Sequence, residues 1–266
     1  MESIVEAFRF LSAIPLPRGR GNERTLASAV ACFPLVGAVL GGLFVLADWL
    51  CGRAFPRVAH FVAAAVILAI YALFTGGLHH DGLMDTADAL WGSPRRTRER
   101  RLEIMKDSRT GALGVTAILL VLLVELAAIY SLPARLGDIQ RYRWGALFVF
   151  PVLGRWVMSY LCVRFPYARP EGTGAAMVGG SRWAYLLIAT ALAGGALAAA
   201  FTWLVWLPLL IPILALAAWL VAELAGAWAT RRLGGVTGDV AGAAAMLAEA
   251  AILLMLASRI PELLVK

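Results

Sequence analysis

The chain has 266 residues, 61% of them hydrophobic and 15% charged, with mean hydropathy +0.78, a formal net charge of +7 and a pI near 9.8. Soluble domains carry about 25% charged residues, so a water-soluble fold is excluded. A polytopic, all-α transmembrane bundle of roughly seven spans is expected, because a span takes about 20 residues.

The basic balance does not point to nucleic acid, since Lys and Arg lie in short segments between apolar runs, where they read as membrane topology and phosphate binding. Cys32, Cys51 and Cys162 show no CxxC spacing, which argues against a disulfide framework or zinc. One integral-membrane catalytic domain covering residues 1–266 is the expected organisation.

Residues 1–26 place Ile4, Val5, Phe8 and Leu11 near one helical face, and Pro15 and Pro17 stop the helix, so an interfacial amphipathic segment is expected. Ala27 to Leu50 forms the first span, with Pro34 as a kink and Gly37 and Gly41 at the GxxxG spacing of close helix packing. The second span, Val58 to Leu78, runs into an acidic motif. Gly111 to Leu132, Gly145 to Val163 and Trp183 to Phe201 supply the third to fifth spans. The sixth, Trp203 to Thr230, contains Pro208 and Pro212, and Val240 to Ala257 is the seventh.

With the amino terminus inside, sixteen Lys and Arg residues fall on the cytoplasmic side and seven on the other, as positive-inside topology requires. Charges inside spans each cost roughly 2.5–3.5 kcal/mol at a helix centre. Glu125, Arg155, Glu223 and Glu249 are these cases, and a bland reading pairs Arg155 with Glu125 or Glu223.

The chemistry concentrates in Thr75 to Gly114, TGGLHHDGLMDTADALWGSPRRTRERRLEIMKDSRTGALG. Asp81, Asp85 and Asp88 are spaced i, i+4, i+7, which confines them to roughly a 60° arc of one helix face. Like charges so placed repel, and an oxygen-only donor set suits Mg2+ or Mn2+, which are typically held by one or two carboxylates together with water and substrate phosphates. Gly76 and Gly77 just upstream permit close backbone approach to a ligand at a helix entry, where free N–H groups favour anions. Glu103 and Asp107 form a second acidic pair, interleaved with Lys106 and Arg109 and preceded by Arg95, Arg96, Arg98, Arg100 and Arg101. Carboxylates beside guanidinium forks describe a diphosphate site. The plain alternative is a solvated loop and a salt-bridged helix, although here the carboxylates abut membrane spans.

HHDGLMDTADAL followed by LEIMKDSRTGALGV resembles the signature of the adenosylcobinamide-GDP ribazoletransferase family, the membrane-bound cobalamin (5'-phosphate) synthases. YARPEGTG from Tyr167 to Gly174, GGVTGDVAGAAAMLAEA from Gly234 to Ala250, and the amino-terminal FRFLSAIPLPR and CFPLVGAVLG resemble further family segments. The resemblance implies joining of adenosylcobinamide-GDP to α-ribazole or its 5'-phosphate with release of GMP, by phosphoryl transfer. It implies Mg2+ on Asp81, Asp85 and Asp88, with Asp239 as a fourth candidate, and catalytic roles for His79, Asp81, Lys106 and Arg109. Gly76, Gly77, Glu103, Asp107, Arg155, Arg169, Glu171, Thr237 and Glu249 are the substrate-binding candidates, Arg155 and Glu249 because they match a family arginine and glutamate. Met246 departs from the family, where a glutamate is common. The implied location is the bacterial inner membrane, with the active site facing the cytoplasm.

Rival readings are another Mg2+-dependent alcohol phosphotransferase or prenyltransferase, or an ion-coupled transporter with Glu125, Arg155, Glu223 and Glu249 along its pathway.

Overall fold

The structure, a computed structural model, describes the whole chain except residues 17–21, 56, 92–94, 133–138, 170–172, 181, 202–209 and 259–266. Among the described residues it is all helical, apart from one isolated parallel bridge between Tyr167 and Val236.

Six helices or helix runs are long and apolar enough to cross a membrane. A further apolar helix, α4 (Ala59–Thr75), meets α5 (Leu78–Leu90) at 87°, so the two do not form one straight span. The amphipathic helix α1 (Glu2–Leu11) precedes them all. It buries Ala7 and Leu11 and leaves Ile4 and Val5 exposed, and it ends before Pro15 because the Ser12 N–H closes the last turn on Phe8 O.

The first crossing is a continuous run of α2 (Glu23–Ala29), a 3-10 turn over Val30–Cys32 and α3 (Phe33–Ala54). Pro34 occupies the first turn of α3, where no N–H is required; at the expected kink the run passes from a 3-10 turn to an α-helix. The GxxxG expectation holds. Gly37 and Gly41 press on the backbone of α8 (Ile139–Arg164), and a Cβ on Gly41 would lie 2.7 Å from Phe148 O.

The remaining crossings are α7 (Ala112–Ser131), α10 (Trp183–Phe201), α11 (Leu210–Leu233) and α12 (Gly238–Ala257), with short helices α6 (Arg98–Ile104) and α9 (Thr173–Gly180) between them. The expected sixth span began at Trp203; its first residues, Pro208 included, lie outside the described set. Burial assigns the layers. In their most apolar windows α8 is 83% buried and α12 72%, against 28% for α7, α10 and α11. The alanine- and glycine-rich face of α12 lets α5, α7, α8 and α11 approach it closely. Leu119, Leu120 and Leu123 of α7 and Leu216, Leu220 and Leu224 of α11 remain exposed, forming the apolar outer surface that a bilayer covers.

Candidate active site

Two glycines set the geometry. Gly76 (φ 61°) and Gly77 (φ 75°) both adopt the left-handed conformation that non-glycine residues rarely enter. Gly77 N–H donates to Ala72 O at 2.9 Å and closes α4, and Gly77 O then accepts Asp81 N–H and opens α5. The chain turns out of the span direction at this point. Helix α5 therefore lies outside the spans, across the bundle end, with Leu83 and Ala87 packed on Ala117 and Ile118 of α7 and on Ala243 and Met246 of α12. Met246 is fully buried in that cluster.

The turn brings the separated motifs together. Asp239, in the first turn of α12, lies against α5 so closely that a Cβ on Gly82 would sit 2.8 Å from Asp239 O. Thr237 caps α12, its Oγ1 accepting from Val240 N–H and donating to Asp239 Oδ2 at 3.3 Å. Arg169 Nη2 donates to the same Asp239 oxygen at 3.0 Å. The 166–169 segment is tied to 234–237 by Ala168 N–H to Val236 O and Val236 N–H to Pro166 O. Glu171 lies outside the described residues.

Asp81 is exposed, whereas Asp85 and Asp88 are half-buried. Desolvation first, then the like charges of Asp81, Asp239 and Asp88, push the Asp85 carboxyl up to about 7, with Arg169 opposing them. Asp88 has a different environment. Its Oδ2 accepts Gly111 N–H at 2.7 Å and its Oδ1 accepts Gly114 N–H at 2.9 Å, so its carboxylate caps α7 across the gap between helices. Asp88 thus differs from Asp81 and Asp85 in holding the first turn of α7 through its carboxylate. Among the described residues no three His, Cys, Asp or Glu side chains are gathered tightly enough to hold a metal ion unaided. The donor chemistry nevertheless fits Mg2+, which needs only one or two carboxylates when phosphate oxygens complete its shell.

Three arginines of the run bind backbone carbonyls. Arg96 donates to Asp88 O, Arg98 to Leu233 O and Ala168 O, and Arg101, which is buried, to Ala89 O and Arg96 O. The physical reason is that the last carbonyls of α5 and α11 have no partner within their own helices, and guanidinium donors complete them. Arg98 thereby fastens α6 to two other motifs. The exposed surface of this end carries Lys106, an Arg100–Glu103 pair at 3.0 Å and an Arg109–Asp107 pair at 2.7 Å. Hydrogen bonds from the Arg109 side chain and backbone hold the Asp107 carboxyl down at about 2.

Beside α5 a cleft of about 550 Å3 opens, lined by Phe10, Ala13, Thr75, Gly76, Gly77, Leu78, His80, Asp81 and Met84. His79, expected as a base, is fully buried with Nε2 3.3 Å from Met158 Sδ. The imidazole at the cleft belongs to His80, whose Nδ1 has no partner among the described residues.

Arg155 and Glu249 lie deeper, both fully buried and ion-paired with each other. The pairing expected with Glu125 or Glu223 is thus corrected: Glu223 accepts from Tyr160 at 2.7 Å and faces Arg164 at 3.7 Å. Tyr71 completes the buried pair, donating to Glu249 Oε2 at 2.8 Å while its ring contacts His79 and His80. Neither Tyr71 nor the buried Asp48–Arg143 pair at 2.7 Å was singled out in the sequence; a hydroxyl and a carboxylate inside apolar runs were the available signals.

A family model described as Cobalamin-5-phosphate synthase matches residues 3–257. Relatives named adenosylcobinamide-GDP ribazoletransferase include that of Geotalea daltonii, 38% identical over 94% of this chain and 94% of its own, and that of Desulforamulus reducens, 35% identical with the same coverage. That of Chlorobaculum tepidum is 37% identical over 97% of this chain and 95% of its own. No solved structure matches.

Proposed function

We infer the reaction from the family to which this chain belongs, that of cobalamin-5-phosphate synthase: it transfers the cobinamide-phosphate group of adenosylcobinamide-GDP to ribazole or its 5'-phosphate, releasing GMP. The observation that carries the assignment to this end of the bundle is the meeting of Asp81, Asp85, Asp239 and Arg169 from three separated segments.

The chemistry is an in-line phosphoryl transfer. A ribose hydroxyl oxygen bonds to the phosphorus that carries the cobinamide arm, the anhydride bond to GMP breaks, and the hydroxyl proton leaves to a base. Mg2+ is the proposed cofactor, held by Asp81 and Asp85 with Asp239 alongside, and when bound it neutralises charge on the diphosphate oxygens. Arg169 keeps Asp239 oriented. His80 and Asp81 line the cleft, and the exposed Asp81 carboxylate is the group placed to take the hydroxyl proton. Lys106 and Arg109 stand at the surface of the same end as phosphate ligands, Arg109 exchanging Asp107 for the substrate. The proposed orientation places this end in the cytoplasm, following the arginine and lysine bias.

The test is GMP release by purified protein supplied with both substrates. Turnover that needs both, stops with chelator and returns with Mg2+ is expected. Release of GMP undiminished by chelator would remove the metal from the mechanism.

A further inference from the structure

We propose that the cleft beside Asp81 is the seat of the ribazole base, and that the amino-terminal helix α1 supplies the wall that recognises its methylated ring. The proposal rests on the reaction assigned above and specifies which part of which substrate this cleft takes.

Size narrows the occupant. The cleft, about 550 Å3 and open to one side, matches a nucleoside in size, whereas a corrin macrocycle bearing an adenosyl ligand is far larger. Two nucleosides remain, the guanosine of the leaving group and ribazole, a ribosylated dimethylbenzimidazole.

Their edges differ. Guanine presents N–H donors and carbonyl and ring-nitrogen acceptors, and a site that reads it must answer them with fixed polar groups. Here the polar side chains are few. Thr75 already donates to Tyr71 O at 2.9 Å, Asp81 belongs to the diphosphate site, and His80 remains. The other lining side chains, Phe10, Ala13, Leu78 and Met84, are apolar. A dimethylbenzimidazole has no donor on its carbocyclic edge and two methyl groups to bury, so it matches this wall. Its ribose then lies toward His80 and Asp81, where the attacking hydroxyl is required.

The wall is also held in place. Phe10 stacks on Phe33 of α3 at 6.1 Å between centroids and 9° between planes. Ala13 N–H donates to Phe74 O at 2.7 Å and pins the segment after α1 to the end of α4. Burial of Ala7 and Leu11 seats the helix itself. An amphipathic anchor serving only to lie on lipid needs none of these contacts with the bundle.

The experiment measures initial rates with each substrate varied in turn at saturating levels of the other. Loss of base stacking on an aromatic ring typically weakens binding by about 1–3 kcal/mol, so Phe10→Ala should raise KM for ribazole about 10–100-fold. Its KM for adenosylcobinamide-GDP should stay within about twofold of wild type. The wild type should prefer ribazole over the unmethylated benzimidazole riboside by about tenfold or more in kcat/KM, and Met84→Gln should erase most of that preference. Phe10→Leu, which keeps an apolar side chain against Phe33, covers the case in which Phe10→Ala does not fold, and should show an intermediate KM. A rise confined to KM for adenosylcobinamide-GDP would give the cleft to guanosine and overturn the proposal, as would unchanged constants in a folded Phe10→Ala. Absence of GMP release by the wild type with both substrates would instead remove the reaction itself.

Discussion

Replacing Asp88 separates the capping role from metal binding. Its two oxygens accept the amides of Gly111 and Gly114 at 2.7 and 2.9 Å. A hydrogen bond to a charged group contributes about 1.5–3 kcal/mol, and loss of a helix N-cap costs ~0.5–2 kcal/mol. Asp88→Ala should therefore destabilise the protein by roughly 2–4 kcal/mol. At about 2–4 °C per kcal/mol for a chain of this size, its Tm should fall by roughly 5–15 °C. Asp88→Asn keeps one acceptor oxygen and should lose about half as much. Gly114→Ala should mimic the loss from the other side, because its Cβ would meet the Asp88 carboxylate at 2.5 Å. Asp81→Asn, at an exposed position, should shift stability by no more than about 0.5 kcal/mol and yet abolish turnover. Thermal unfolding in detergent, recorded beside Mg2+-dependent GMP release, reads both quantities. The reasoning fails if Asp88→Ala unfolds at the wild-type temperature while losing activity as Asp81→Asn does, because Asp88 would then be a ligand and not a cap.

Arg155→Met or Glu249→Leu alone should cost about 3–5 kcal/mol by stranding a buried charge, while the double variant recovers most of it; double-variant losses equal to the sum of the singles would deny the coupling. Asp85, at about 7 in the metal-free protein, must lose a proton to bind a cation, so apparent Mg2+ affinity should weaken up to about tenfold per pH unit below 7, and in Asp85→Asn that dependence should vanish. The same raised value makes the folded state the better proton binder, so metal-free stability should fall as pH rises from the ordinary 3.8 toward 7; a flat profile there would contradict it. Arg109→Lys should retain thermal stability and lose about 10²–10³ in kcat if the planar fork serves the transition state, whereas near wild-type kcat would leave Arg109 a topological anchor. In a cysteine-free background, cysteine at exposed Arg231 should be shielded from an impermeant thiol reagent in intact cells and cysteine at Gly52 labelled; the reverse pattern would invert the proposed orientation.

The spans were legible because hydropathy and length act locally. Trp183–Phe201 was read with the same bounds that the helix shows, and Gly37 and Gly41 announced their contact through spacing alone. The partners of polar groups were less legible, for a physical reason. Arg98 and Arg101 bind carbonyl oxygens at helix ends, and every residue carries a carbonyl, so no letter of the sequence marks the acceptor. Asp88 was read by its face on α5, but its partners are the amides of Gly111 and Gly114, available only once α7 starts beside it. Arg155 had several carboxylates within spans to choose from, and the choice of Glu249 required knowing that α8 and α12 are neighbours.

The break at Gly76 and Gly77 explains how so apolar a chain presents so charged a site. Residues 59–90 drawn as one straight helix would measure about 48 Å at 1.5 Å per residue, against a hydrocarbon core of about 30 Å. The aspartates would then project past the membrane on an unsupported stalk, or tilt would draw them into lipid at several kcal/mol each. The 87° turn removes both outcomes. It lays α5 over the starts of α7 and α12, so that Leu83 and Ala87 still bury against apolar neighbours while Asp81 stays exposed. It also sets Asp85 near Asp239, far apart in the chain, and creates the electrostatic crowding that a cation relieves. Substituting Gly77, whose φ is 75° but which has open space where a Cβ would sit, therefore strains the turn alone, and through it the spacing of the carboxylates at the bundle end.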